Sequence, residues 1–186
     1  MAFMPNGQEI PKSPNYHMVF EEGDNKVRIL ADSIAGYKWQ SAKDDSWNFA
    51  KEKPTIPLGE IKKDKFDNYI RFFVTMPVWS YRDEEVKLME LTQISIMDYI
   101  QAYDKNPEWG DVKEYDINIV KTIKGDKTTY SVQPTPKKTV NPKWLELLEE
   151  KKKENDRFKC KWKEEAETPK EEKNENEERI DDLPFS

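Results

Sequence analysis

Hydrophobic and polar positions alternate most cleanly over residues 65–91, KFDNYIRFFVTMPVWSYRDEEVKLMEL. From Tyr69 onward, Ile70, Phe72, Val74 and Met76 fall on one side of an extended chain, and Tyr69, Arg71, Phe73 and Thr75 fall on the other. The pattern predicts two strands joined by the charged turn Arg82-Asp83-Glu84-Glu85. Upstream, KVRIL at 26–30 and GYKWQ at 36–40 read as one long strand with a bend or bulge near Ser33–Gly36. Downstream the period lengthens. Ile96, Met97, Ile100 and Tyr103 recur at helical spacing, which predicts a helix over 93–103 with Thr92 as its cap. Asn106-Pro107 ends it. Two further strands, 115–123 and 128–133, flank the glycine-containing hairpin loop 124–127. Asn141-Pro142 then supplies a cap and a first-turn proline for a helix over 143–153, with Trp144, Leu145 and Leu148 on its docking side.

Residues 41–64 form the long connection in this scheme, and they carry Trp47 and Phe49. Connections of that length in a compact domain are usually functional or disordered, and two large rings favour a binding loop. The resulting order is strand, strand, strand, helix, strand, strand. That is the order of a five-stranded OB-fold barrel, mainly β, with its helix between strands three and four. The expected layout is an N-terminal arm over 1–16, the OB domain over 17–140, the C-terminal helix over 141–163 and a disordered acidic tail over 164–186.

Composition changes the picture through its unevenness. The chain has 186 residues, 37% of them charged, and a net charge of -6. Residues 164–182 hold ten acidic and three basic side chains, which leaves a body of net charge +1 before them. A near-neutral body can carry local basic patches while the tail is a polyanion. One cysteine, Cys160, forms no disulfide within the chain, and one histidine, His17, leaves too few soft ligands for a structural zinc site. No metal or other cofactor is expected. The apolar runs are shorter than a membrane span and the N-terminus lacks a signal peptide's basic start and apolar centre, so a cytoplasmic protein with no membrane partner is expected.

Aromatic side chains in strands more often fill a core than touch a ligand. Arg71 between Tyr69 and Phe73 is nonetheless a poor fit to a dry interior and suits a flat, anionic ligand such as single-stranded nucleic acid. An OB barrel offers its ligand face on strands two and three, between the loops that follow strands one and four. This places Tyr69, Arg71 and Phe73 on strand two and Trp47 and Phe49 in the first loop. Lys124 and Lys127 fall in the second loop, and Tyr37, Lys38 and Trp39 end strand one. Stacking on rings and phosphate contacts from cations bind without reading sequence. The expected function is a sequence-tolerant single-stranded DNA-binding protein, with self-association on DNA as a further possibility. An enzyme is not expected. Asp44-Asp45 and Asp83-Glu84-Glu85 sit in turns with no nucleophile, phosphate loop or ligand spacing around them. The alternative is an OB-like protein-interaction module with an acidic, DNA-mimicking tail.

The chain ends Asp181-Asp182-Leu183-Pro184-Phe185-Ser186, an apolar hook on an acidic stem. It resembles the tip of bacterial single-stranded DNA-binding proteins, which ends Asp-Asp-Ile-Pro-Phe and recruits replication and repair enzymes. There the terminal carboxylate belongs to Phe, whereas here Ser186 follows Phe185. In the body, GDNKVRIL leading to GYKW, together with KLMELTQ, is similar to phage replication proteins of the OB type. The resemblance implies a phage-encoded protein of the host cytoplasm that coats DNA during replication, recombination or repair. It also implies that Asp181, Asp182, Leu183, Pro184 and Phe185 bind partner enzymes.

Overall fold

Seven strands and two helices make up the protein as a computed structural model describes it, over residues 15–64 and 69–163. The strands are β1 (Gly23–Ile29), β2 (Ile34–Gln40), β3 (Trp47–Ala50), β4 (Arg71–Ser80), β5 (Glu85–Leu91), β6 (Asp116–Lys124) and β7 (Lys127–Pro134). Helix α1 (Ile94–Lys105) separates β5 from β6, and α2 (Pro142–Glu154) follows β7.

β4 is the strand on which the sheet is built. Along one edge it pairs with β5 over its last seven residues. Along the other it pairs first with β2, Arg71–Thr75 against Ile34–Lys38, and then with β1, Val78–Ser80 against Val27–Ile29. The long first strand expected from the sequence is therefore two strands, and Ala31–Ser33 between them leave the ladder. Pro77 explains the break. It has no N–H to donate, and its carbonyl, which accepts from the Leu30 N–H at 3.0 Å, points to this same edge. With no donor at that register, the neighbouring chain leaves the ladder after Leu30 and rejoins it at Ile34.

The sheet is open, in the order β3-β2-β4-β1-β6-β7 with β5 on the far edge of β4. This overturns the five-stranded OB barrel, and with it the resemblance of the body to phage OB proteins. Closure would need β5 to pair with β7. Instead the free edge of β5 is taken by residues 16–18, with Leu88 N donating to Tyr16 O at 2.7 Å and Met18 N to Leu88 O at 2.8 Å. Helix α1 touches both β5 and β7 and fills the space between them. The four-residue β3, inside what the sequence suggested was loop, adds a strand beyond β2.

Each face of the sheet has its own core. On one, Val27, Ile29, Met76, Val78, Met89, Leu91, Ile117, Ile119 and Val132 pack against Ile96 and Ile100 of α1. On the other, Leu30, Val86 and Leu88 pack against Leu148 of α2 and Phe158 beyond it. Helix α2 starts where the sequence predicts, because Asn141 Oδ1 accepts from Lys143 N at 3.0 Å and Pro142 occupies the first turn. Helix α1 starts at Ile94 and has no side-chain cap, so Thr92 does not serve as one. Trp144 stacks on Trp79 at 4.8 Å and meets Tyr81 edge-on at 5.5 Å, which fixes α2 against β4.

Where β1, β6 and the chain leading to α2 meet lies a buried charge network. Arg28, 1% exposed, donates from Nε to Asp116 Oδ1 at 2.7 Å and from Nη1 to the Lys138 carbonyl at 2.8 Å. Asp116 Oδ2 accepts from Tyr81 at 2.8 Å and faces Lys26 at 3.3 Å. Removing one member of such a buried pair strands the other charge, at a cost of about 3–5 kcal/mol. Asp116→Asn is therefore expected to lower the urea unfolding midpoint by at least about 1 M, taking a slope of about 1–3 kcal/mol/M. A shift under a few tenths molar would show that the pair contributes little. The hydroxyls titrate late as well. Burial and then Asp116 push Tyr81 up to about 12, and burial and then the Asp104 and Asp111 charges push Tyr115 to the same value. Because the folded protein keeps on these two hydroxyls protons that the unfolded chain releases near pH 10, their contribution to stability should be fully present below pH 10 and be lost as pH rises toward 12. Tyrosinate absorbance and chemical denaturation across that range measure it.

Candidate nucleic-acid interface

In an antiparallel sheet, directly opposed residues share a face. Lys38 lies opposite both Phe49 and Arg71, Gln40 opposite Trp47, and Gly36 opposite Phe73. These side chains therefore share the face that α2 covers further along. Tyr37 lies opposite Phe72, with the rings 5.4 Å apart, and Trp39 opposite Asn48, both on the α1 face. The residues that sequence places on one ligand track are thus divided between two faces.

On the first face the exposed rings are Trp47, 53% accessible, and Phe49, 47% accessible, two residues apart on β3. Lys38 sits over the Trp47 ring at 5.1 Å and pairs with Glu90. Arg71 pairs with Asp64, its Nε donating at 2.6 Å. Phe73 is sealed instead of exposed. Phe49 meets it edge-on at 5.7 Å, and Trp162 meets it edge-on at 6.2 Å while donating from Nε1 to the Ala35 carbonyl at 3.3 Å. Gly36 makes room for that ring, since a Cβ there would stand 2.5 Å from both the Trp162 ring and the Ala50 carbonyl.

At the end of β2 the chain closes a small crevice of about 40 Å³ that gathers Lys38, Trp39, Trp47, Tyr69 and Arg71 with Lys62 and Lys63. The two lysines arrive because Ile61 is buried and bridges to Ser41, with Lys62 N donating to Gln40 O at 2.8 Å. Lys62 itself pairs with Asp45 at the β2–β3 turn. The C-terminal segment adds exposed Lys161 and Lys163 on either side of Trp162. Sequence analysis missed Lys62, Lys63 and Trp162 as part of this surface. The available signals were weak: a Lys-Lys pair after an isolated isoleucine, and the alternation Lys161-Trp162-Lys163.

Lys124 and Lys127 are exposed at the β6–β7 hairpin, which runs on past Lys121 where it lies opposite Gly23. Gly23 begins β1, whereas Trp39 and Gln40 end β2, so these lysines stand at the other end of the β1–β2 path from the crevice. Asp181, Asp182, Leu183, Pro184 and Phe185 lie outside the described residues. Burial pushes the Cys160 thiol up to about 11, so it is protonated at neutral pH and is not an activated nucleophile. Among the described residues no helix is long and apolar enough to cross a membrane, and no three His, Cys, Asp or Glu side chains converge as a metal site requires.

The chain matches no protein-family model, no curated protein and no solved structure. The likeness to phage and bacterial single-stranded DNA-binding proteins suggested by short motifs thus has no support from comparison along the chain.

Trp162 joins the last described segment to the β2–β4 surface, and Gly36 is its seat. Gly36→Ala is expected to lift the indole off the sheet and destabilise the fold by about 1–3 kcal/mol through overpacking. A red-shifted tryptophan emission with a lowered urea midpoint would show it. Unchanged emission would mean that Trp162 does not depend on this contact.

Proposed function

We propose that this protein binds single-stranded DNA, with little dependence on sequence, on the face carrying Trp47 and Phe49. The observation that supports the reading is the pair of half-exposed rings at alternate positions of β3, with Lys38 and Arg71 beside them. Alternate residues of a strand are about 6.6 Å apart along its axis. That is roughly twice the 3.4 Å rise of stacked duplex bases, so two neighbouring bases meet two such rings only when they are unstacked. Unpaired nucleotides meet this condition and a duplex does not.

Cations on the face are already paired with carboxylates: Lys38 with Glu90, Arg71 with Asp64, and Lys62 with Asp45. The more exposed of these, Lys62 with Asp45 and Arg71 with Asp64, belong to a class worth about 0–1 kcal/mol each, so exchanging their carboxylates for a phosphate costs little. Lys161 and Lys163 extend the basic character beside Trp162. The α1 face is the poorer candidate, because Asp32, Asp98, Asp104 and Asp111 surround its exposed apolar surface. In this proposal the acidic tail with its Leu183-Pro184-Phe185 tip recruits replication or repair proteins to the coated strand. The cytoplasm is the compartment where such a protein works.

Titrating the full chain with oligo-dT while following tryptophan emission tests the reading. Quenching is expected, with an affinity that falls with salt at a log–log slope of roughly -2 to -3 for three or four phosphate contacts. Trp47→Ala should weaken binding by roughly 5- to 150-fold, the loss of one stacked base, while Phe72→Ala on the opposite face changes it by less than about twofold. No quenching and no mobility shift with oligo-dT at low salt would overturn the proposal.

A further inference from the structure

Between α1 and the sheet, on the face away from Trp47 and Phe49, lies an open groove of about 720 Å³. Its floor is apolar, formed by Phe72, Val74, Met76, Leu91, Ile94 and Met97. Two of these are far more exposed than a closed core allows: Ile94 at 67% and Phe72 at 42%. The volume falls within the about 300–1,000 Å³ of ligand-binding clefts.

The rim is acidic on both sides. Asp98 and Asp104 project from α1, and Asp32 and Asp111 come from the connections after β1 and before β6. Among the described residues the single basic side chain in the lining, Lys113, is held by Asp32 at 2.7 Å and faces Asp111 at 3.7 Å. Four carboxylates against one ammonium leave the rim strongly negative. Asp104 and Asp111 are also fixed in place, since Asp104 accepts from Val112 N at 3.2 Å and Asp111 from Lys113 N at 2.8 Å.

We infer that this groove is a docking site for a basic, amphipathic peptide segment of a partner protein. An apolar trough flanked by carboxylates is complementary to a segment that presents leucine-like side chains on one side and Lys or Arg on its flanks. The same rim repels phosphates, so the groove takes a different class of partner from the ring-bearing face. Because β2 and β4 contribute to both surfaces through alternate residues, the two can be occupied together. This inference does not rest on the DNA-binding proposal.

The probe is a fluorescein-labelled amphipathic peptide made of leucine and lysine, followed by anisotropy with the full chain. Two control peptides carry glutamate in place of lysine, or serine in place of leucine. Saturable binding of the Leu/Lys peptide is expected, with both controls at least tenfold weaker. The variant Ile94→Lys with Asp98→Lys alters two exposed positions and should weaken the Leu/Lys peptide at least tenfold while leaving the circular dichroism spectrum unchanged. The acidic tail could also attract lysines, so a full-length variant with the ten acids of residues 164–182 changed to their amides separates the sources. Retained binding there supports the groove. Loss of binding in that tail variant, unchanged binding in the groove variant, or equal binding of the Ser/Lys control would each overturn the inference.

Discussion

The contact between Arg28 and Asp116 decides more of this molecule than any other. It joins β1 to β6, and it holds Tyr81 at the end of β4 through the second carboxylate oxygen. Through the Lys138 carbonyl it also fixes the chain that leads into α2. From that fixed point α2 crosses the sheet with Trp144 on Trp79, Phe158 is buried, and Trp162 reaches Gly36. Whatever binds beside Trp47 and Phe49 therefore meets a surface whose border is set by a buried ion pair on another part of the sheet.

Strands with a period of two make two surfaces from one stretch of sequence. Phe72 and Phe73 are neighbours, yet one lines an acid-rimmed groove and the other is buried edge-on against an indole. Lys38 is flanked by Tyr37 and Trp39, which belong to the opposite face. The consequence is a thin, two-sided unit at β2–β4 with rings and cations on one side and an apolar trough with carboxylates on the other. The nucleic acid and the basic peptide proposed for its two sides would not compete for the same side chains.

The open sheet is equally a matter of edges. An unpaired strand edge presents donors and acceptors that must be satisfied, covered or exposed to water. Residues 16–18 satisfy the edge of β5, and α1 occupies the space that a closing strand would need. Pro77 marks the break in the strand opposite β4, and on the far side of that break β2 and β3 extend the sheet beyond the core. The candidate interface exists because of that extension.

Much of the secondary structure was legible in local pattern. Alternation located β4 and β5, helical spacing with Ile96 and Ile100 located α1, and Asn141-Pro142 marked the start of α2. Trp47 and Phe49 stood out as rings in a polar stretch, and their spacing of two was the trace of β3, too short to register as a strand. Element order alone also suggested a barrel, and there it misled, because the same order suits an open sheet. Which edge pairs with which is a contest between distant segments: residues 16–18 won the edge of β5, and no local pattern records that outcome. Burial of Phe73 likewise involves Phe49 and Trp162, the second of which lies 89 residues further along the chain. Periodicity and caps are short-range physics and belong to the sequence; edge pairing, the covering of a face and the meeting of Arg28 with Asp116 are long-range contacts, and only the folded chain decides them.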